Sequence, residues 1–276
     1  MSVDTESLRM LVPKRLRKYL NAGRFGLDSF MEHVAGRVDA QQTVVDLGAG
    51  DCPYATLFRH AHYIALDHAV RSDGAGAANA RVVGDMQNLP LRNGCAHAIV
   101  NTQALEHVRS PAAALREMYR VLAPAGMLFI SVPLFDAEHE APHDYWRFTG
   151  FGLRLLLQEA GFHVDSIARR GGYFWVLNKQ FRSVHEYLFP PLRRRWVKAL
   201  RYPIKILSVI VVEVCMPILL YNLDRLDTSH HYTVGYLGIA RKPLSRECES
   251  EHRVAVMPEP AGDFASPTET RERRAV

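Results

Sequence analysis

An α/β fold built on a parallel, doubly wound sheet is what this 276-residue sequence predicts. Three observations carry the prediction. Short apolar runs alternate with helix-like segments between residues 43 and 168, which is the pattern of successive βα units. The run Thr43–Leu47 has the look of a strand buried on both faces and opens into Gly48-Ala49-Gly50, with Asp46 and Asp51 on either side. A second run, Tyr63–Leu66, ends in Asp67. That acid follows Asp46 at about 20 residues, the interval at which a nucleoside-binding βαβ unit sets a carboxylate against a ribose.

Strands are expected near 43–47, 62–66, 81–84, 97–101, 126–132, 162–168 and 234–241, and helices near 53–60, 111–122 and 150–160. Ser110 followed by Pro111 is a helix start with a side-chain cap and a proline in the first turn. Thr149 can cap the segment 150–160, and Gly161 can end it. Residues 6–36 suggest helix interrupted at Pro13 and Gly23. The expected organisation is an N-terminal basic helical segment (1–40), a core (41–170 with 232–243), a helical insertion (171–231) and a disordered tail (244–276) rich in Glu, Arg, Pro, Ser and Thr.

The net charge of +5 is unevenly spread. Arg9, Lys14, Arg15, Arg17, Lys18 and Arg24 form one acid-free cluster, and Arg193, Arg194, Arg195, Lys198, Arg201 and Lys205 another. Such clusters suit anionic surfaces, whether nucleic acid or acidic lipid headgroups, or are solvated helix faces. Cys52, Cys95, Cys215 and Cys248 are dispersed without a CxxC pair, so reduced thiols in a cytoplasmic protein are expected rather than a disulfide frame or zinc site. The opening Met-Ser-Val-Asp-Thr-Glu has no secretory h-region.

The insertion is long for a connection between two neighbouring strands. It carries Phe174, Trp175, Phe181, Tyr187, Phe189 and Trp196, then the basic cluster, then the apolar stretch Ile204–Leu223. About 20 apolar residues match a bilayer core. Glu213 at the middle, Pro217 near the end, and a following strand that belongs to the same sheet argue against a true span. The expectation is a helix or hairpin lying at a membrane surface at the inner face of the membrane. Packing in a homodimer or lid, or an ordinary core helix, are the alternatives.

The ligand of the glycine turn follows from its charge. A dinucleotide fingerprint needs G-x-G-x-x-G, but the third glycine position is Pro53, and Asp51 would repel a pyrophosphate. A cationic nucleoside is compatible with both acids. Here the chain resembles the class I S-adenosylmethionine-dependent methyltransferases, in particular the small-molecule group. The resemblance lies in Val-Val-Asp-Leu-Gly-Ala-Gly-Asp (44–51), Ala-Leu-Asp (65–67), Gly-Asp-Met-Gln-Asn-Leu-Pro-Leu (84–91), Ala-Leu-Glu-His-Val (104–108) and Glu-Met-Tyr-Arg-Val-Leu-Ala-Pro-Ala-Gly-Met-Leu (117–128). It covers residues 40–170 and the strand near 234–241. It implies a seven-stranded, Rossmann-like sheet with an antiparallel last strand, and S-adenosyl-L-methionine as cofactor. It further implies that Asp46 orients the turn and the methionine amino group, that Gly48 and Gly50 meet the methionine part, that Asp67 accepts the ribose hydroxyls, and that Asp85 with the Met86 backbone reads the adenine. One position departs from the pattern: Cys52 stands where the family usually has glycine.

Methyl transfer from a sulfonium needs alignment and exclusion of water, with a general base when the acceptor is a hydroxyl. The stretch Phe135–Thr149 follows the fifth strand and concentrates His139, His143, Asp144, Tyr145 and Arg147. His143 or His139 is the expected base, with His107 a further candidate. A purely structural loop, with Asp144 capping and Arg147 paired to an acid, is the alternative. His139-Glu140-Ala141-Pro142-His143 matches H-E-x-x-H formally, but Pro142 disfavours the helix that motif requires, so no metal is expected. The acceptor is expected to be a small molecule or lipid-linked. Nucleic acid is disfavoured because Asn101-Thr-Gln-Ala stands where an Asn/Asp-Pro-Pro-Tyr motif would be. A catalytically degenerate, membrane-bound interaction module is the non-enzymatic alternative.

Overall fold

The computed structural model describes residues 19, 22–68, 82–188, 203 and 207–244. The expected N-terminal basic cluster except Arg24, the cluster 193–205 and the tail from 245 lie outside the described residues. The described residues divide into two compact units, one within 29–169 and 235–244 and one within 19–28 and 170–234.

The first unit holds one seven-stranded sheet: β1 (Thr43–Leu47), β2 (His62–Asp67), β3 (Val82–Val83), β4 (Ala96–Thr102), β5 (Leu122–Pro133), β6 (His163–Arg169) and β7 (Gly235–Arg241). Their order is β3-β2-β1-β4-β5-β7-β6. The first five strands pair in parallel, and β7 lies antiparallel between β5 and β6, with Phe129 opposite Ile239 and Ala168 opposite Leu237. The order reverses between β1 and β4, and in an open α/β sheet that reversal places the ligand crevice at the carboxyl ends of those strands.

The core sits between the sheet and two helices. α2 (Pro111–Val121) buries Ala114, Leu115, Met118 and Val121, a stripe at helical spacing, against Ile99, Leu128 and Ile130 of β4 and β5. Each fully buried aliphatic side chain contributes about 1.5–3 kcal/mol. Ser110 caps α2 through the Ala113 N–H at 3.3 Å, and Thr149 caps α3 (Gly150–Glu159) through the Gly152 N–H at 3.0 Å. Both caps stand where the sequence puts them.

Three expectations change. Gly23 does not break the N-terminal segment: α1 (Ala22–Ala35) runs through it. A glycine costs only about 1 kcal/mol in a helix, and α1 offsets this by burying Leu27, Phe30, Met31 and Val34 along one face. The helix expected near 53–60 is a single tight turn, Ala55–Phe58, anchored by buried Phe58. Pro217 does not interrupt the apolar helix. α5 continues to Leu226, and it begins its described course at Leu207. A widened turn, Val211–Cys215, immediately precedes the proline, and the Met216 N–H reaches back to the Val211 carbonyl. Such a turn re-spaces the ladder where proline removes a donor.

In the second unit, α4 (Tyr173–Leu188) is capped from α5 and the residues that follow it. The Asp224 carboxylate accepts from the backbone N–H groups of Gly172, Phe174 and Trp175 at 3.0–3.2 Å, and Asp227 from that of Tyr173 at 2.8 Å. Negative charge at a helix N-terminus is favourable both as cap and against the helix dipole. The Trp175 and Tyr221 rings stack at 6.0 Å.

Candidate functional site

The turn after β1 is shaped by its own backbone. Gly48 and Gly50 have φ of +73° and +49°, a region that L side chains enter at a cost. The Gly48 and Ala49 N–H groups both bond the Leu66 carbonyl, at 2.9 and 3.2 Å, and so tie the turn to the end of β2. A Cβ on Gly48 would lie 2.4 Å from the Ala104 Cβ, whereas one on Gly50 would meet nothing within 4 Å. Gly48 therefore allows the turn to pack on the segment after β4, and Gly50 borders open space where a ligand can approach the backbone. Cys52 also has positive φ, +52°. This is the conformational reason for glycine at that position. The Cys52 side chain is buried with Ala49 and Ala65, with Tyr63 packed against them.

The acids divide by environment. Asp46 is buried, and burial pushes its carboxyl up to about 6; the Tyr63 hydroxyl, donating to Oδ2, opposes the shift, and neighbouring Asp67 adds to it. Its Oδ1 is buried with no hydrogen-bond partner among the described residues. A buried carboxylate with an unused oxygen is a site of attraction for a cationic group. Asp51 is exposed on the turn. Asp67, at the end of β2, accepts from the Gly50 N–H at 2.8 Å and the His68 N–H at 2.7 Å, one on each oxygen. Each oxygen keeps a second lone pair, which suits a vicinal diol.

Asp85 and Met86 follow β3. The Asp85 carboxylate accepts from the Gln87 backbone N–H at 2.8 Å and is approached by the Gln87 amide, whose oxygen in turn accepts from the Ser110 N–H at 2.9 Å. Glu117 and Arg120 of α2 fasten the next residues: Glu117 accepts from the Leu89 N–H at 2.8 Å, and Arg120 donates to the Leu89 and Leu91 carbonyls at 3.0 and 2.8 Å. Asn101, buried in β4, donates to the Leu47 carbonyl at 3.0 Å and approaches the Met86 sulfur at 3.5 Å. These bonds bring the turns after β1 and β3 together on the carboxyl edge of the sheet. The residues expected from sequence to bind the cofactor, Asp46, Gly48, Gly50, Asp67, Asp85 and Met86, are thus gathered on one edge. Its donor set fits a positively charged nucleoside: a diol acceptor, a buried carboxylate with a spare oxygen, and open backbone at Gly50.

The second half of the site is the loop after β5. It folds back on the turn after β4: the Tyr145 and Trp146 N–H groups reach the Glu106 carbonyl at 3.0 and 3.3 Å, and the Trp146 indole donates to the Val108 carbonyl at 2.9 Å. Asp144 organises the loop. Both its oxygens accept from the Arg147 guanidinium at 2.7 Å, and Oδ2 accepts from the His139 N–H at 2.8 Å. These bonds hold its carboxyl well below the usual carboxylate range. His107 and His139 meet edge to face at 4.8 Å between ring centres. His107 Nδ1 lies 2.9 Å from the His143 carbonyl, and His139 Nδ1 lies 3.1 Å from the Ala137 carbonyl. A carbonyl only accepts, so each Nδ1 carries a proton and donates it. The His143 ring is exposed, with Nδ1 3.1 Å from the Tyr145 hydroxyl. His107 and His139 therefore share a cluster, and His143 contributes its carbonyl to that cluster while its ring faces outward. The H-E-x-x-H stretch is loop, not helix.

Tyr63, Gln87 and Glu106 went unassigned from sequence. Each acts through a contact distant along the chain or through burial, and their spacing carries no motif. Asn101, noted in sequence only for a motif it lacks, proves to be a buried tie between strands.

Residues 45–130 match a protein family described as a methyltransferase domain. A curated relative from Mycolicibacterium smegmatis, described as a probable S-adenosylmethionine-dependent methyltransferase, is 31% identical over 88 residues; the match takes in 30% of this chain and 34% of the relative, so the chain spans about a third of that relative's length. Among solved structures, a protein assigned as a sarcosine dimethylglycine methyltransferase from Galdieria sulphuraria is similar at 18% identity and a TM-score of 0.49, over 81% of this chain and 85% of that one. The methyltransferase in complex with the Haloferax volcanii Trm112 activator is similar at 18% identity and a TM-score of 0.48, over 82% and 98% of the two chains.

Proposed function

We propose that this chain is a class I S-adenosylmethionine-dependent methyltransferase and carries the methyl group to a hydroxyl of a small-molecule or lipid-linked acceptor, at a membrane surface on the cytoplasmic side. The observation that carries the reading is the turn after β1, where a buried carboxylate at Asp46 and open backbone at Gly50 suit a cation and repel a pyrophosphate. The cofactor supplies a methyl already activated by its positive sulfur. The protein aligns the acceptor and takes up its proton. Asp67 and Asp85 fix the nucleoside; the loop 135–149, stiffened by Asp144 and Arg147, borders the acceptor side. His143 is the base in this reading, its ring exposed and oriented by Tyr145.

The membrane part rests on α5. Leu207, Ile210, Val211, Val214 and Ile218 are exposed at three- and four-residue spacing, and only 17% of its apolar window is buried. A span is disfavoured because β7 follows α5 and pairs with β5 and β6 in the same sheet as β1. The neighbouring arginines and lysines of 193–205 suit acidic headgroups.

Flotation of the full chain with anionic vesicles tests the surface contact. Wild type is expected to float, and Ile210→Ser with Val214→Ser and Ile218→Ser to remain behind while still folded; equal recovery of both would remove the membrane from the account. Transfer of labelled methyl into an organic-phase rather than an aqueous extract separates a lipid-linked from a free acceptor.

A further inference from the structure

Glu106, His107 and His139 form a second chemical centre on the acceptor side. One carboxylate oxygen of Glu106 and one ring nitrogen from each histidine lie within 4.8 Å of one another. Glu106 is fully buried and His107 largely so. One nitrogen of each ring already has an oxygen partner. Each Nδ1 is committed to a backbone carbonyl, and His139 Nδ1 also lies 3.3 Å from the Asp144 carboxylate, which Arg147 locks in place. Metal-bound histidines show this arrangement: an oxygen acceptor behind one ring nitrogen fixes the tautomer and leaves the other nitrogen free. Glu140 Oε2 stands 4.0 Å from His107 Nε2 as a further oxygen donor.

The geometry points to a divalent first-row cation held by Glu106, His107 and His139, with open positions that bind the acceptor through its hydroxyl and a neighbouring oxygen. Two imidazoles and one carboxylate suit a borderline ion such as zinc, manganese, iron(II) or cobalt(II) better than calcium or magnesium, which prefer oxygen alone. Ala104, which packs against Gly48, is three residues from His107, so the centre adjoins the cofactor turn. The inference rests on the methyl-transfer reading and narrows its substrate to vicinal oxygen donors: a catechol, a sugar diol or a hydroxy-carbonyl. Coordination makes the hydroxyl more acidic. Its proton passes to solvent water, the oxygen forms a bond to the methyl carbon, and the carbon–sulfur bond breaks with its electron pair going to sulfur. Charge and electrons balance without an oxidant or reductant.

Cobalt(II) titration of the metal-stripped full chain, followed by visible absorption, tests the proposal. One equivalent is expected with nitrogen and oxygen ligand bands, His107→Ala and His139→Ala each weakening it by about a hundredfold, and His231→Ala binding as wild type. Catechol added to the loaded protein is expected to shift the bands. Since Glu106→Gln touches a buried group and can fail to fold, the half-exposed His139 is the deciding variant, with circular dichroism to show it folded. No binding by wild type, thiolate bands from a cysteine site, equal binding by His139→Ala, or no response to catechol would each overturn the proposal. Calorimetry with S-adenosylmethionine on the same samples tells the two readings apart: cofactor binding without cobalt binding removes the metal alone, and loss of cofactor binding removes the methyl-transfer reading beneath it.

Discussion

Gly48 and Ala104 are in such close apposition that a Cβ on the glycine would lie 2.4 Å from the alanine Cβ. That contact joins the turn after β1 to the segment after β4, the two places where the strand order reverses and a ligand crevice forms.

Gly48→Ala is expected to destabilise the protein by about 2–4 kcal/mol, from overpacking and from a side chain at φ of +73°. The Ala104→Gly change opens the space, so the double variant should recover the steric part and retain a conformational penalty of about 1 kcal/mol. Thermal unfolding of the four proteins of this cycle measures the coupling; strictly additive effects would show that the two residues do not press on each other.

Cys52 occupies φ of +52° and is buried. Shortening a buried side chain normally costs more the further it is cut. Here the order should invert: Cys52→Ala keeps the backbone strain and loses the sulfur, while Cys52→Gly relieves the strain. Cys52→Gly is expected to be the more stable of the two by about 1 kcal/mol. Denaturant unfolding midpoints give the order directly.

Burial raises the Asp46 carboxyl to about 6. Its folded value thus exceeds its unfolded one, so this group alone makes stability fall as pH rises from about 4 to about 6, and leaves it level above. Cofactor binding runs the other way. The ionised carboxylate attracts a cation, so S-adenosylmethionine affinity should weaken by about tenfold as pH drops from about 7.5 to about 5, and Asp46→Asn should flatten that dependence. Calorimetric titration at several pH values measures both slopes.

Asp144 has the opposite sign. Its carboxyl is held low by Arg147 and the His139 N–H, so the stability it contributes is complete above the unfolded carboxylate range and is lost as pH falls below it. Asp144→Asn should cost about 2 kcal/mol near neutral pH, with the gap to wild type narrowing in acid. Limited proteolysis should find the loop 135–149 cut faster in the variant.

What sequence reveals here follows the range of the interactions. Strand β1 was legible because a parallel strand buried on both faces is apolar in succession, and the caps Ser110 and Thr149 because capping is decided within three residues. The glycine turn and Asp67 were legible because their spacing is local to one βαβ unit. Tyr63 beneath Asp46, Gln87 between Asp85 and Ser110, and the burial of Glu106 were not, since each joins residues 17 to 23 apart or depends on what covers it. Gly23 misled because helix propensity is a weak preference, and the buried face of α1 overrides it. Pro217 misled because a widened turn, invisible in the residue pattern, absorbs it.

The chemistry of this site depends on whether the β1 turn accepts a cationic nucleoside. Isothermal calorimetry of the full chain with S-adenosylmethionine, beside Asp67→Ala, measures it most directly. One site is expected, weakened by roughly a hundredfold in the variant, from loss of charge-assisted bonds to the ribose. No heat at millimolar concentration, or NAD binding in its place, would show that the turn is not a site for a cationic nucleoside.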